Sequence, residues 1–116
     1  MKRSLPFYTE TGYVRSDIAT YVAFSLWKRG IDPNTLREQF HSPEGIIWKI
    51  EQQIYKDGLK AGWWKDSRDG EELALGFFYA THFLDLEDRE FIESSIQSLS
   101  QNLKGYLDRV IENYLN

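Results

Sequence analysis

Residues 73–84 read LALGFFYATHFL, a stretch of the chain that carries no formally charged side chain. Wound as a helix, it would be apolar on every side, and helices of that kind are buried. Asp69 and Glu72 have the spacing of a capping box that would open this helix, and the small residues within it would let neighbouring helices approach closely. The stretch therefore predicts a central buried helix surrounded by amphipathic ones.

The sequence before this stretch contains three helix-start signals. Ser16 is placed to cap a first helix that ends at Gly30, a residue suited to the left-handed cap position. Asp32-Pro33 predicts a short second helix, Pro33 to Phe40, because an Asp cap followed by proline at the first helical position favours initiation. Ser42-Pro43 repeats the signal and predicts the start of a third helix.

The third helix has two apolar stripes at helical spacing. The first consists of Ile47, Ile50 and Ile54, and the second of Trp48, Tyr55, Leu59 and Trp63. Such a broad apolar face predicts that the helix packs against more than one neighbour.

After the central stretch, Asp85 is placed to cap a last helix that would run to Leu115. Its apolar residues recur in steps of three and four, close to a heptad seam. They are Ile92, Ile96, Leu99, Leu103, Tyr106, Val110 and Tyr114. This seam predicts either packing onto the central helix or a homodimer formed through residues 92–114.

Together these signals predict an all-α fold, with residues 1–116 forming a single domain. We expect a compact helical bundle of four main helices plus one short helix over residues 16–116, preceded by an extended N-terminal arm over residues 1–15. A chain of 116 residues that is 41% hydrophobic can bury one sizeable core. No apolar run is long enough to span a membrane, and no secretory signal is recognisable, which predicts a cytoplasmic protein.

The charge is unevenly distributed along the chain. Residues 1–68 hold 11 Lys and Arg against 8 Asp and Glu, and residues 69–116 hold 3 against 10, which gives +3 and −7 and sums to the net charge of −4. This balance is far from the strongly basic one of a dedicated nucleic-acid domain. An acidic, solvated second half is the simplest interpretation.

The chain has few residue patterns that support catalysis or metal binding. It has no cysteine and two histidines, His41 and His82, and neither is preceded by Glu at the Glu-x-x-His spacing of bundle metal sites. His82 reads as a core histidine near a helix end and His41 as a turn residue. We find no nucleophile elbow and no phosphate-binding glycine loop, so the sequence predicts a protein that is not an enzyme and has no metal or cofactor.

Residues 36–50 resemble the helix-turn-helix pattern of DNA-reading proteins, in which a short helix leads through a turn into a recognition helix. The resemblance implies a DNA-binding transcriptional regulator with residues 43–57 as the recognition helix. Its DNA contacts would come from Arg37, Glu44, Lys49, Gln52 and Lys56. The same pattern is also typical of an ordinary capped corner between two helices.

The aromatic residues support a different function. Four tryptophans in 116 residues is a high number, and Trp and Tyr often anchor protein interfaces. Trp48, Tyr55, Trp63 and Trp64 form the predicted protein-binding surface, unless the N-terminal arm covers part of it. We therefore predict a non-enzymatic, small cytoplasmic protein-binding module, such as an adaptor, an inhibitor or an immunity-type accessory factor, with the helix-turn-helix regulator as the alternative.

Overall fold

The computed structural model describes residues 16–62 and 67–115, and only the backbone of Ser16, Ser67, Arg68, Asp69 and Glu72. Within these ranges the chain is helical and contains no strand, which confirms the all-α prediction. The helices are α1 Ser16–Lys28, α2 Pro33–Phe40, α3 Ile46–Ala61, α4 Ser67–His82, α5 Arg89–Ser95 and α6 Gln101–Leu115. Four of these helices have 13 to 16 residues, and α2 and α5 have 8 and 7, one short helix more than predicted. The predicted arm, residues 1–15, lies outside the described residues.

Helix α1 is the most deeply buried helix in the described part of the chain. It packs against α4, α5 and α6, and nearly every side chain from Ile18 to Leu26 is buried. Gly30 follows its end with a φ of 103°, which confirms the predicted left-handed residue. The centre of the fold is therefore α1 and not the 73–84 stretch.

Helix α4 contains most of that stretch but buries only one side of it. Leu73 and Phe77 pack into the core, facing α1, α2 and α3, whereas Leu75, Tyr79 and Phe83 are exposed. The prediction of burial on every side is wrong because these three neighbours all lie on one side of the helix. The predicted capping box is also wrong, since the helix begins at Ser67 and residues 69–72 lie inside it.

The corner between α2 and α3 positions the candidate site. Asp32 accepts a hydrogen bond from Thr35 N at 2.9 Å and Pro33 begins α2, both as predicted. Helix α3 begins at Ile46 and not at residue 43, because residues 42–45 form a turn. The Gln39 side chain accepts a hydrogen bond from Ile46 N at 2.5 Å and so caps α3 from the preceding helix.

The C-terminal region forms two helices, so the prediction of one helix from Asp85 to Leu115 is wrong. Asp88 caps α5 by accepting from Phe91 N, and Ser100 Oγ accepts from Leu103 N at the start of α6. A capping side chain in mid-sequence favours a new helix start over continuation. Helix α6 packs on α3 and α1, so the apolar seam does not use α4 as its main partner. No helix in the described ranges has the length and apolar character needed to cross a membrane.

Candidate functional site

A pocket of about 280 Å³ lies where the end of α2, the first turns of α3 and α4 meet. Its walls are formed by Phe40, His41, Pro43, Trp48, Glu51 and Ala74. Helices α2, α3 and α4 and the turn between α2 and α3 supply these residues, and Ala74 is the residue from α4. The walls are mostly apolar with few polar groups, which is the usual composition of a ligand pocket.

Glu51 is the unusual member of this pocket. Its side chain is only 6% exposed, and among the described residues it has neither a hydrogen bond nor an ion pair. Burial without a compensating charge disfavours the carboxylate and raises the pKa of Glu51 from 4.5 to about 7. A buried polar group of this kind requires a functional or structural explanation.

The sequence places Glu51 within the apolar face of α3. At 100° per residue, Glu51 falls between the Ile47, Ile50, Ile54 stripe and the stripe that contains Trp48 and Tyr55. A glutamate inside a broad apolar face is the signal that would have identified it.

The structure separates the residues of the predicted aromatic surface. Trp48 is 39% exposed and forms one wall of the pocket. Tyr55 is half-buried against the first turn of α4, where a Cβ added to Gly70 would lie 2.8 Å from the Tyr55 ring. Trp63 and Trp64 lie outside the described residues. Of the two described residues of this set, Trp48 lines the pocket and Tyr55 does not.

The two histidines, predicted as a turn residue (His41) and a core histidine near a helix end (His82), are in contact beside the pocket. Their Nε2 atoms lie 3.0 Å apart, and the His82 Nδ1 lies 3.0 Å from the Phe78 carbonyl oxygen. In the tautomer with its proton on Nδ1, His82 donates to the Phe78 carbonyl oxygen, and its Nε2 accepts from the His41 Nε2–H. His82 is at a helix end, as predicted, and is half-buried.

A series of ring contacts leads from this pair to the surface of α4. Phe40, which lines the pocket, lies 5.5 Å from Phe78, and Phe78 stacks on His82 at 4.2 Å between ring centroids. Phe78 also contacts Phe83 at 5.7 Å, and Phe83 contacts Tyr79 at 6.2 Å. We call Phe40, His41, Phe78, Tyr79, His82 and Phe83 the aromatic-histidine cluster. It joins the pocket to an exposed edge, where Phe83 is 68% exposed.

The residues predicted to contact DNA are distributed over α2, the turn and α3. Glu44, Lys49 and Lys56 are exposed, while Arg37 and Gln52 are half-buried. Arg37 donates a hydrogen bond to Asn34 Oδ1. Of the predicted recognition helix, residues 46–57 lie in α3, which continues to Ala61, and residues 43–45 belong to the preceding turn.

A second cleft of about 350 Å³ lies between α3 and α6, and a hydrogen-bond network joins three of the residues that line it, Gln53, Asp57 and Tyr106. Tyr106 donates to Asp57 at 2.6 Å, Gln53 donates to Asp57 at 3.0 Å, and Tyr114 donates to Gln53 at 2.9 Å. Burial and the adjacent Asp57 carboxylate raise the pKa of Tyr106. We interpret this network as one that holds α6 on α3.

Known proteins do not identify the site. No protein family matches the chain, and no curated protein or solved structure matches it. In residues 16–62 and 67–115, no three His, Cys, Asp or Glu side chains converge on a common point that could hold a metal ion. The interpretation of the pocket therefore depends on its own geometry.

Proposed function

We propose that this chain is a non-enzymatic, small cytoplasmic protein-binding module, of the adaptor, inhibitor or immunity type, that acts through an aromatic surface. The observation that carries the proposal is the aromatic-histidine cluster, which ends in a phenylalanine that is 68% exposed. Contiguous exposed aromatic side chains favour partner binding, because their burial supplies much of the free energy of association.

The charge around this surface favours a basic partner. Residues 69–116 have a net charge of −7, and the exposed Asp85 and Glu87 follow Phe83 directly. Leu75 and Tyr79 on α4 and Phe83 just after its end recur every four residues and form one exposed apolar stripe. A helix with an apolar face flanked by Lys and Arg would complement both the stripe and the charge.

The substitution Phe83→Ser tests the proposal. Native extract passed over the immobilised protein should yield a partner that the wild-type chain retains and the Phe83→Ser variant loses. Phe91→Ser is the matched control, because Phe91 is 47% exposed on α5 and lies outside the aromatic-histidine cluster. The purified partner should then show the same difference by calorimetry. Equal retention by wild type and Phe83→Ser would contradict the proposal.

A DNA-binding regulator is the second candidate, and one observation favours it. Lys49, Lys56 and Lys60 are all exposed on α3, so the outer side of the predicted recognition helix is basic. Lys49→Ala and Lys56→Ala should then each weaken binding to mixed duplex DNA and reduce its salt dependence, whereas Arg89→Ala on α5 should not. Absence of binding at low salt would exclude this candidate.

A further inference from the structure

We propose that the pocket bounded by Phe40, Trp48 and Glu51 binds an aliphatic ammonium group, namely the side chain of a lysine on the partner protein. The assignment of this lysine to a partner protein rests on the proposed protein-binding function. The chemistry of the pocket does not, because it follows from Glu51 and the walls around it.

The buried carboxyl explains why the ligand should be a cation. Glu51 is 94% removed from solvent and has no partner in the described part of the chain. An unpaired carboxylate in such a place is costly, and a cation that enters the pocket would remove this cost by pairing with it. A bound ammonium would therefore supply the positively charged partner that the Glu51 carboxyl lacks.

The walls explain why the cation should be carried on an apolar stem. Trp48 and Phe40 present aromatic rings, and Pro43 and Ala74 add aliphatic surface. An ammonium group is attracted to an aromatic ring face, while its methylene stem packs against apolar side chains. The pocket therefore suits both halves of a lysine side chain.

The shape of the charged group favours lysine over other cations. A guanidinium carries five N–H donors in a flat fork, whereas an ammonium has three donors on one compact centre. The pocket walls supply few acceptors besides the Glu51 carboxyl, so the compact ammonium would leave fewer buried donors unpaired than a guanidinium would. A metal ion is disfavoured, because none of the described His, Cys, Asp or Glu side chains form a group of three around the pocket.

The first experiment uses the whole chain with n-butylammonium and the neutral n-butanol as probes, at pH 8, followed by NMR. We expect butylammonium to shift the Trp48 indole resonance saturably, and butanol to leave it nearly unchanged. Glu51→Gln should weaken the binding of butylammonium at least ~10-fold, because the charged acceptor is lost. Glu44→Gln is the matched control, because Glu44 is exposed on the preceding turn. Equal binding of butanol, or unchanged binding by Glu51→Gln, would overturn the proposal.

A second measurement needs no variant and therefore does not depend on the folding of Glu51→Gln. The Glu51 carboxyl carbon, followed by NMR, should titrate at lower pH when butylammonium is present, because the bound cation stabilises the carboxylate. An unchanged titration at saturating probe would overturn the proposal.

Peptides then test the source of the ammonium group. An acetyl-Gly-Lys-Gly-amide peptide should bind at least as tightly as butylammonium, and the same peptide with acetylated lysine should not bind. Failure of the lysine peptide, with butylammonium still bound, would overturn the assignment to a partner protein. The proposed function is tested separately, since Phe83→Ser should abolish binding of the partner protein and leave the binding of butylammonium unchanged.

Discussion

The ionisation of Glu51 links the pocket to the stability of the fold. Its pKa is about 7 in the folded chain and near 4.5 when unfolded, so the folded state holds its proton more tightly. The contribution of this proton to the free energy of unfolding is present in full below pH 4.5 and declines as the pH rises to 7. Above pH 7 the contribution is lost and stability no longer changes with this group. The loss amounts to at most about 3 kcal/mol.

Glu51→Gln removes this dependence. Urea unfolding should show that the variant gains stability relative to wild type between pH 4.5 and pH 8, by up to about 3 kcal/mol. A wild-type-minus-variant difference that is constant over this range would show that Glu51 ionises normally in the folded chain.

Residue-scale features were predictable from the sequence where they depend on near neighbours. Asp32 caps α2 and Gly30 ends the first helical segment as predicted, since both interactions lie within a few residues. The contact between His41 and His82 joins residues far apart in the chain. The spacing of residue types along the sequence does not predict such a contact, because the contact depends on how α2 and α4 pack.

At the scale of elements, the corner between α2 and α3 depends on Gly45. A Cβ at this position would collide with the backbone of Gln39, which lies in the last turn of α2. Gly45→Ala should therefore destabilise the fold by about 1–3 kcal/mol, because the turn must open to accommodate the methyl group.

Gly105→Ala is the matched control for this prediction. Gly105 lies inside α6, and among the described residues a Cβ there would meet only Arg109 Nη1, at 3.7 Å. Alanine is the better helix residue, so this variant should gain about 0.5–1 kcal/mol. Thermal unfolding of the two variants should move in opposite directions, and a stable Gly45→Ala would show that the corner is looser than the structure indicates.

Helix existence was predictable from periodicity, but helix ends and exposure were less so. The apolar stretch at 73–84 is helical up to His82, yet its composition could not reveal that neighbours cover only one side. Similarly, the heptad-like spacing continues across the break between α5 and α6, because Ile92 on α5, Leu99 within the break and Leu103 on α6 are all buried. The spacing of apolar residues indicates which residues face the core. It does not indicate whether the backbone between them remains helical.

At the scale of the whole molecule, the burial of α6 bears on self-association. Leu103, Leu107, Val110 and Ile111 are buried within the chain, against α3 and α1. A homodimer through residues 92–114 would have to expose this core before forming, at a cost that the new interface would need to recover. We therefore predict a monomer, with a mass near 13.7 kDa by sedimentation equilibrium.

A mass near twice this value would contradict the prediction, and Phe83→Ser would then identify the surface responsible. Dissociation by Phe83→Ser would place the contact on the aromatic-histidine cluster, so that a second copy of the chain would occupy the face proposed for another protein. A dimer that survives Phe83→Ser but is broken by Tyr114→Ala would instead place the contact on α6, where Tyr114 is the exposed end of the seam. A monomer would leave the cluster, the pocket and their acidic surroundings open to a partner of different sequence.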